Sequence, residues 1–298
     1  MSTQRETSRS LDRAIDRRPS LPVLPPLDEI TATPLCALSL RRLIGTYTGY
    51  AIRVREGSEA EVNVGFDSNG VVGLDSPTSV AGTTLGDYAD GNDVFVTKWY
   101  NQAASGGTYD ANQATTAHQP MLLSSGALIE HGVYFEGTND HFDTSWQPAT
   151  SNDHTIMLVC QLRNVSTSDF AFFSVLDDWN DGIELRMNVY GNFVHAYNST
   201  DLTTSGVTVT DTNVAIASME DSLASNEQQF MLNGVLETSG SASGSISLGM
   251  YETVEIGTRN GGSYPIPGSL QELVYFDSKV TAAEQTILSD NATDHFGI

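Results

Sequence analysis

The amino-acid sequence predicts an all-β fold: an antiparallel sandwich with short helices and an extended N-terminal arm. In the second half of the chain, short β-prone runs follow one another and polar turns separate them. Helical periodicity is confined to brief segments, which argues against alternating strands and helices. We therefore expect an arm over residues 1–32 and one domain over residues 33–298, built from an N-terminal portion (33–150) and a second portion (151–298).

Each predicted element has a local signal. Residues 34–44 have apolar side chains at helical spacing and end at a glycine, which predicts a short helix. Alternating apolar residues over 50–55 and 60–66 predict two strands. The strands of the second portion are predicted over 154–162, 170–176, 182–190, 193–197, 214–218, 228–232 and 267–277. A closing helix begins at Thr281, because Thr281 and Glu284 form a capping-box pattern.

The charge of the chain is acidic and uneven. Its 298 residues carry 14 Lys and Arg against 37 Asp and Glu, a net charge of −23 at pH 7. Nine arginines lie in residues 1–55, so a basic region precedes an acidic body. An acidic body argues against nucleic-acid binding, which requires a basic surface. The apolar runs are far shorter than the roughly 18 to 20 residues that cross a bilayer, so no membrane span is expected.

Residues 1–32 form the predicted arm. Within it, residues 19–26 (PSLPVLPP) should be extended, since proline cannot join the centre of a sheet. Two interpretations stay open for this stretch: a linker, or an arm that lays apolar residues such as Leu27 on a neighbouring subunit. The basic charge leaves a similar choice between an ordinary leader and docking on an acidic partner surface.

The N-terminus also bears on cellular location. It has no apolar stretch followed by a small-residue cleavage site, so we expect no secretory signal peptide. Cys36 and Cys160 lie far apart, and buried free thiols are their expected state, with a disulfide or a metal pair as the alternatives. This pattern does not indicate redox chemistry.

Seven short phrases between residues 39 and 140 carry a family resemblance. They are 39–43 (SLRRL), 47–55 (YTGYAIRVR), 64–67 (VGFD), 99–102 (WYNQ), 112–113 (NQ), 119–120 (QP) and 135–140 (FEGTND). In this order they resemble the start of the catalytic domain of fungal-type α-L-arabinofuranosidases of the concanavalin A-like class, and a module of marine bacteriophage structural and tail proteins. The ending, from residue 254 on, resembles the close of laminin-G-like jelly rolls. The resemblance covers about residues 37–298 and implies a jelly-roll sandwich.

Two of these phrases, WYNQ and FEGTND, end in amide and acidic residues, as strands do when they run into polar turns. They can be interpreted as part of a ligand site. They can also be interpreted as the seam between the two portions, with side-chain amides bonding to turn backbone. The chain as a whole favours the seam.

A glycosidase of the resembling class needs two carboxylates that face one sugar, one of them kept protonated. The loop before and into one predicted strand supplies acids and one aromatic residue. These are Asp177, Asp178, Trp179, Asp181 and Glu184. The resemblance implies Glu184 as the first catalytic acid and places the second in a later turn, where this sequence has Arg259 and Asn260. We therefore expect a site that binds a sugar without cleaving it, with a solvated turn or a calcium-binding rim as alternatives.

Calcium binding is a separate hypothesis, because hard cations take several carboxylate and carbonyl oxygens from flexible loops. Asp87, Asp90 and Asp93 could provide such a set, as could the loop 177–181. Neither segment has EF-hand spacing, and with 37 acids in the chain some clustering is expected by chance.

Aromatic residues beside amides and acids are a common way to hold a neutral sugar. Trp99 lies on a strand-like run and is expected in the core. Trp146 and Trp179 flank turns, so they are the predicted sugar-stacking residues.

These observations lead to the hypothesis of a bacteriophage virion protein. A sandwich that usually works outside cells, on a chain with a basic, proline-rich arm and no signal peptide, fits a protein that leaves the cell inside a particle. We expect residues 1–32 to dock on other virion proteins and the sandwich to bind host glycans at the virion surface, as a tail or head appendage in symmetric multimers. The alternatives are an arabinofuranosidase-like hydrolase and a ligand-free capsid cement protein.

Overall fold

The computed structural model describes residues 25–57, 59–130, 132–148, 153–163, 169–176, 182–197, 200–204, 211–222, 225–241, 253–259 and 261–298. The strands within these ranges are β1 Cys36–Ser39, β2 Ile52–Glu56, β3 Val62–Val64, β4 Val94–Trp99, β5 Ala111–Asn112, β6 Met121–Ser124, β7 Ala127–Leu128, β8 Val133–Glu136, β9 Phe142–Thr144, β10 His154–Leu162, β11 Phe170–Leu176, β12 Gly182–Met187, β13 Phe193–Tyr197, β14 Thr200–Thr203, β15 Asn213–Ser222, β16 Ser225–Leu232, β17 Val235–Ser241, β18 Glu255–Ile256 and β19 Pro267–Phe276. The α-helices there are α1 Leu85–Ala89 and α2 Ala282–Phe296.

The strands form two layers that pack face to face, and they pair in antiparallel fashion. In the first layer the hydrogen-bonded order is β17, β16, β15, β10, β19 and β1. In the second layer it is β14, β13, β12, β11, β18 and β9, continued through β5 and β4 to β2 and β3. β8 pairs with both β19 and β6, which links the layers at one edge. The antiparallel sandwich expected from the sequence is confirmed.

The core between the layers is apolar and rich in aromatic rings. Phe173 of β11 stacks on Tyr275 of β19 with a centroid distance of 5.5 Å, and Phe193 of β13 lies 5.8 Å from Phe230 of β16. Trp99 is fully buried in the same core, as expected. These contacts across the layers fix the relative position of the two sheets, because aromatic side chains bury large areas in defined geometries.

Helix α2 covers the outer face of the first layer. Its residues Leu288 and Ala292 pack in a second apolar cluster with Val274 of β19. The predicted capping box is confirmed: Thr281 Oγ1 accepts from the Glu284 N–H, and a Glu284 carboxylate oxygen accepts from the Thr281 N–H, both at 3.3 Å. No helix in the described part of the chain, α2 included, is long and apolar enough to cross a membrane.

Residues 34–44 do not form the predicted helix, because Cys36–Ser39 is strand β1. β1 pairs with β19 along its whole length. Its side chains are buried on both faces, since Cys36 and Leu38 enter the core between the layers and Ala37 packs in the cluster beneath α2. A strand buried on both faces has no polar alternation, so its sequence resembles that of a short buried helix.

The end of the predicted arm belongs to the domain. Residues 25–32 lie against α2, where Leu27 is buried in the second apolar cluster. Glu284 Oε1 accepts hydrogen bonds from the N–H and the hydroxyl of Thr31 at 2.8 and 2.7 Å. Leu27 therefore packs on its own chain, which argues against the interpretation that lays it on a neighbouring subunit. Residues 1–24 lie outside the described residues.

The Trp-Tyr-Asn-Gln phrase fastens the end of β4 to β1 and to the loop that follows β1. Asn101 Oδ1 accepts hydrogen bonds from the N–H groups of Ala37 and Ala103 at 2.8 and 3.0 Å. Gln102 Oε1 accepts from the N–H of Leu43 at 2.8 Å. Buried side-chain amides thus satisfy the backbone of β1 and of the loop that follows it.

Cys36 and Cys160 are buried free thiols, as expected. Burial raises the pKa of both thiols far above the ordinary value. Because the thiolate is the reactive form of cysteine, neither residue is activated as a nucleophile at neutral pH.

Candidate functional site

The outer face of the second layer carries the polar residues Ser174, Glu184 and Asp201 in one row across neighbouring strands. In the strand register, Ser174 of β11 lies opposite Glu184 of β12, Glu184 lies opposite Ala196 of β13, and Ala196 lies opposite Asp201 of β14. Residues opposite one another in a sheet share a face. The neighbours of Glu184 along β12 belong to the core, so strand alternation turns Glu184 away from it.

Glu184 is buried between two arginines. Its side chain is 4% exposed, and its Oε2 lies 3.2 Å from Arg186 Nε and 3.4 Å from Arg259 Nη1. Arg186 follows Glu184 by two positions on β12 and therefore shares its face. Arg259 comes from the segment after β18. The structure thus brings together Glu184 and Arg259, two of the residues predicted for the site.

Arg186 connects Glu184 to two further carboxylates. Its Nη2 lies 2.6 Å from Asp201 Oδ2, and its Nη1 lies 3.3 Å from Asp169 Oδ2. The Asp201 side chain is 48% exposed, so the cluster extends from a buried carboxylate to solvent. We call these residues, with Arg259, the Glu184 cluster.

A hairpin after β18 holds Arg259 in place. Arg259 and Ser263 exchange two backbone hydrogen bonds of 2.8 Å, which closes a tight turn. Gly257 precedes it with a φ of 85°, and a Cβ at this position would lie 2.5 Å from the ring of Phe135. Tyr264 packs its ring 4.9 Å from the Arg259 guanidinium and has a φ of 56°, which is unusual for a bulky residue. Strained backbone of this kind is enriched at functional sites.

The protonation of Glu184 reflects two opposing effects. Burial raises the pKa of Glu184 above its ordinary value, whereas Arg259 and Arg186 counteract that rise by stabilising the carboxylate. Both guanidinium groups lie within 3.5 Å of the carboxylate, so each makes a charge-assisted contact with it.

Five residues predicted for the site lie outside the described residues. They are Asp177, Asp178, Trp179, Asp181 and Asn260. Their roles in ligand binding stay predictions. The described part of the site consists of the Glu184 cluster and the hairpin that carries Arg259.

Trp146 is not a surface residue that could stack on a sugar. Its side chain is 3% exposed, and its ring packs among Tyr109, Phe173 and Tyr275 at centroid distances of 5.2, 6.1 and 5.2 Å. The prediction for Trp146 is wrong because a residue that flanks a turn can still point inward. Here the segment after β9 folds over the core, where a large aromatic ring buries more apolar area.

Asp87, Asp90 and Asp93 do not converge on a metal site. Asp87 accepts from the N–H of Thr84 at 3.0 Å in a capping box of α1, and Asp90 ends that helix in a left-handed conformation. Asp93 Oδ1 accepts from the N–H of Ser125 at 2.7 Å. Across the described ranges, no group of three or more His, Cys, Asp or Glu side chains could hold a metal ion. The calcium hypothesis for these three acids is wrong, because each serves a turn or a helix end.

Sequence reasoning misses Arg186, Asp201 and Tyr264. Arg186 could be found from the alternation of β12, which places it on the face of Glu184. Asp201 could not be found, because its position beside Glu184 depends on the register of β13 and β14. The contact of Tyr264 with the cluster depends on the hairpin after β18.

Comparison with known families shows where the chain belongs. A profile of the concanavalin A-like lectin/glucanases superfamily matches residues 136–284, which is 149 of the 298 residues, or half of the chain. The chain belongs to this superfamily. The matched segment runs from the end of β8 into α2 and includes Glu184 and Arg259. Comparison with curated proteins finds no match.

Two solved structures of a GH54 α-L-arabinofuranosidase share the fold of this chain. A GH54 α-L-arabinofuranosidase soaked with a cyclic sulfate inhibitor matches with a TM-score of 0.59 and 13% identity, over 87% of this chain and 62% of that enzyme. A mutant of the GH54 enzyme soaked with 4-nitrophenyl α-L-arabinofuranoside matches with a TM-score of 0.58 and 14% identity. The Ruminococcus gnavus sialidase module CBM40 matches with a TM-score of 0.44 and 16% identity, over 54% of this chain and 97% of the module. The chain thus spans less than two thirds of the arabinofuranosidase, and the likeness concerns the fold. The fold resemblance expected from the sequence phrases is confirmed.

Proposed function

We propose that this protein is a non-catalytic glycan-binding member of its superfamily. The observation that carries the proposal is the salt-bridged group of Glu184, Arg186 and Arg259 on the outer face of the second layer. This group combines charge-assisted hydrogen-bond donors and acceptors with the neighbouring ring of Tyr264. Such a combination binds a sugar through its hydroxyl groups and the apolar face of its ring.

The same cluster argues against hydrolysis. A glycosidase keeps one carboxyl group protonated as general acid and uses a second, about 5 to 9.5 Å away, as nucleophile or base. Arg259 stands where the resemblance to arabinofuranosidases implies the second acid, and it pairs with Glu184. Asp201 and Asp169 both contact Arg186. Within the described residues of the cluster, every carboxylate thus contacts an arginine, and an arginine stands at the position of the second acid.

A glycan array followed by calorimetric titration of the best ligand tests this proposal. Arg259→Gln should weaken binding about tenfold or more, because it removes a charge-assisted hydrogen-bond donor. Arg163→Gln is the matched control: Arg163 is an exposed arginine at the end of β10, and it packs on Tyr134 instead of the cluster. Because Arg259→Gln also removes a partner of the buried Glu184, binding should be measured at a temperature at which circular dichroism shows both variants folded.

Two other outcomes of these experiments would favour the alternative functions. The absence of binding to any glycan on the array would contradict glycan binding and support a ligand-free cement protein. Turnover of an aryl α-L-arabinofuranoside that disappears in Glu184→Gln would contradict the non-catalytic assignment and support a hydrolase.

We also propose that the protein is displayed on the surface of a bacteriophage particle, with its basic N-terminal segment as the anchor. The support is the charge of that segment and its point of attachment. Residues 25–32 are fixed beside α2, on the outer face of the first layer, whereas Glu184 lies on the outer face of the second layer. An anchor and a glycan site on opposite faces would let the protein hold a particle with one face and present the other. Symmetric multimers would add avidity to such binding.

Deletion of residues 1–24 tests the anchor. The deletion should stop before Pro25, because Leu27 and Thr31 belong to the fold of the domain. The shortened protein should bind the glycan as the full chain does and should not be incorporated into particles. Full incorporation would contradict the anchoring role, and a monomer in analytical ultracentrifugation would contradict the multimer.

A further inference from the structure

A groove separate from the Glu184 cluster runs along the C-terminal end of α2. It consists of two adjoining cavities of about 200 and 210 Å³. Arg41, Val71 and His295 line both cavities, so the two lie side by side, and we call them together the α2 groove. The groove lies on the side of the sandwich that α2 covers, away from the face that carries Glu184.

Arg42 supplies the positive charge of the first cavity. The neighbouring Arg41 is bound by Glu272 and is therefore neutralised. Arg42 makes no salt bridge within the described residues; it packs over the ring of Phe66 at 5.4 Å, and its Nε has no hydrogen-bond partner there. An unpaired guanidinium is a planar fork that matches the two oxygens of a carboxylate.

Other polar groups beside the first cavity do not compete for Arg42. Asp67 is used by its own turn, since its Oδ1 accepts from the N–H groups of Asn69 and Val71 at 2.8 and 3.0 Å. Burial lowers the pKa of His295, and the charge of Arg41 acts in the same direction. The His295 ring is therefore neutral at pH 7, and it can exchange a hydrogen bond with a ligand without adding charge.

Gln271 supplies an unused acceptor in the second cavity. Gln271 is 4% exposed, and its Oε1 has no hydrogen-bond partner among the described residues. Buried amide oxygens without a donor are uncommon, because an unpaired buried acceptor destabilises the fold. The same cavity is lined by the apolar residues Leu40, Val72 and Phe296. It therefore offers a hydroxyl-binding position beside an apolar wall.

We propose that this groove binds a small hydroxylated carboxylate of the class of acidic monosaccharides. The ligand's carboxylate lies on the Arg42 guanidinium, and one of its hydroxyl groups donates to Gln271 Oε1. The C–H face of the sugar ring packs on the apolar wall next to Phe296, as sugar rings do on aromatic side chains. This site is additional to the glycan site at Glu184 and does not depend on it.

Titration of the full-length protein with glucuronate and glucose tests the inference. The two sugars form a matched pair that differs in the carboxylate. Glucuronate should bind at least about tenfold more tightly than glucose, because only glucuronate can pair with Arg42. Arg42→Gln should remove this preference, and Gln271→Leu should weaken glucuronate binding severalfold. Arg163→Gln is the control for the loss of one positive charge and should keep the preference.

Several results would overturn the inference. One is equal binding of glucose and glucuronate by the unmodified protein, a comparison that stays decisive even if Arg42→Gln proves unstable. Inorganic phosphate that binds as tightly as glucuronate would reduce the groove to a general anion site. Loss of glucuronate binding in Arg259→Gln would assign this ligand to the Glu184 cluster instead. An unchanged glucuronate affinity in Arg259→Gln is the result we expect.

Discussion

Replacement of Asn101 by alanine should destabilise the whole domain, because one buried amide holds separate chain segments together. Asn101 is 3% exposed. Its Oδ1 accepts from the N–H groups of Ala37 and Ala103, and its Nδ2 donates to Ser105 Oγ at 2.8 Å and to the carbonyl of Gly106 at 3.0 Å. Ala37 lies in β1, so the amide ties the end of β4 to the first layer of the sandwich.

The size of the effect follows from these bonds. Each hydrogen bond contributes about 0.5–1.5 kcal/mol net, and a buried N–H group left without a partner costs about 1–3 kcal/mol. In Asn101→Ala, the N–H groups of Ala37 and Ala103 both lose their acceptor in a buried setting. We expect the free energy of unfolding to fall by about 4 kcal/mol. Most domains are stable by about 5–15 kcal/mol, so this is a large fraction of the total.

Urea unfolding followed by tryptophan fluorescence measures the effect. The matched control is Asn112→Ala, because the Asn112 amide donates to the carbonyl of Asp110 at 3.3 Å and is only partly buried. The control should lose less than about 1 kcal/mol. If Asn101→Ala and Asn112→Ala were equally stable within about 1 kcal/mol, the role of Asn101 as the link between the end of β4 and β1 would be refuted.

Three further predictions concern buried charge and the arm. Arg259→Gln should destabilise the domain by about 3 kcal/mol or more, since it leaves the buried Glu184 without one partner. The double variant Glu184→Gln/Arg259→Gln should recover most of the lost stability. Glu284→Gln should weaken the contact between residues 25–32 and α2. The free energy that protects the Thr31 amide from hydrogen exchange should fall by about 1 kcal/mol, which is the usual contribution of a capping side chain. Burial and a neighbouring histidine lower the pKa of His195 well below 6.5, so stability should fall as pH drops below 6.5, by about 1.4 kcal/mol per pH unit.

Each of these predictions has an outcome that would contradict it. For the buried pair, additive losses in the double variant would mean that Glu184 and Arg259 are not coupled. For the arm, unchanged exchange of the Thr31 amide in Glu284→Gln would show that other contacts hold it. For the pH effect, unfolding of the protein and of His195→Phe should be compared at pH 7.5 and 5.5; an equal pH dependence would show that His195 does not cause it.

The fold could be predicted where the signals are local. The bounds predicted for β10, β11 and β13 agree with the structure, because turn residues mark the ends of these β-prone runs. The capping box of α2 also lies within four residues, so the sequence shows it directly. β1 could not be recognised, because it is buried on both faces by elements that are distant in the chain.

The site could be predicted only in part, for a related reason. The meeting of Glu184 and Arg259 agrees with the family resemblance, which supplied the long-range information. The position of Asp201 depends on strand register, which no local pattern encodes. The inward orientation of Trp146 depends on tertiary packing. The capping residue Glu284 also holds the arm through Thr31, a contact that spans 253 positions in sequence.

The most direct test of the central claim is one NMR titration of the labelled protein with the glycan selected on the array, followed over several hours. We predict shifts of the backbone amides of Glu184, Arg186 and Arg259, together with unchanged anomeric signals of the glycan. This result would show binding at the Glu184 cluster without cleavage. Shifts confined to other faces of the sandwich would contradict the site, and the appearance of new reducing-end signals that Glu184→Gln abolishes would contradict the absence of catalysis.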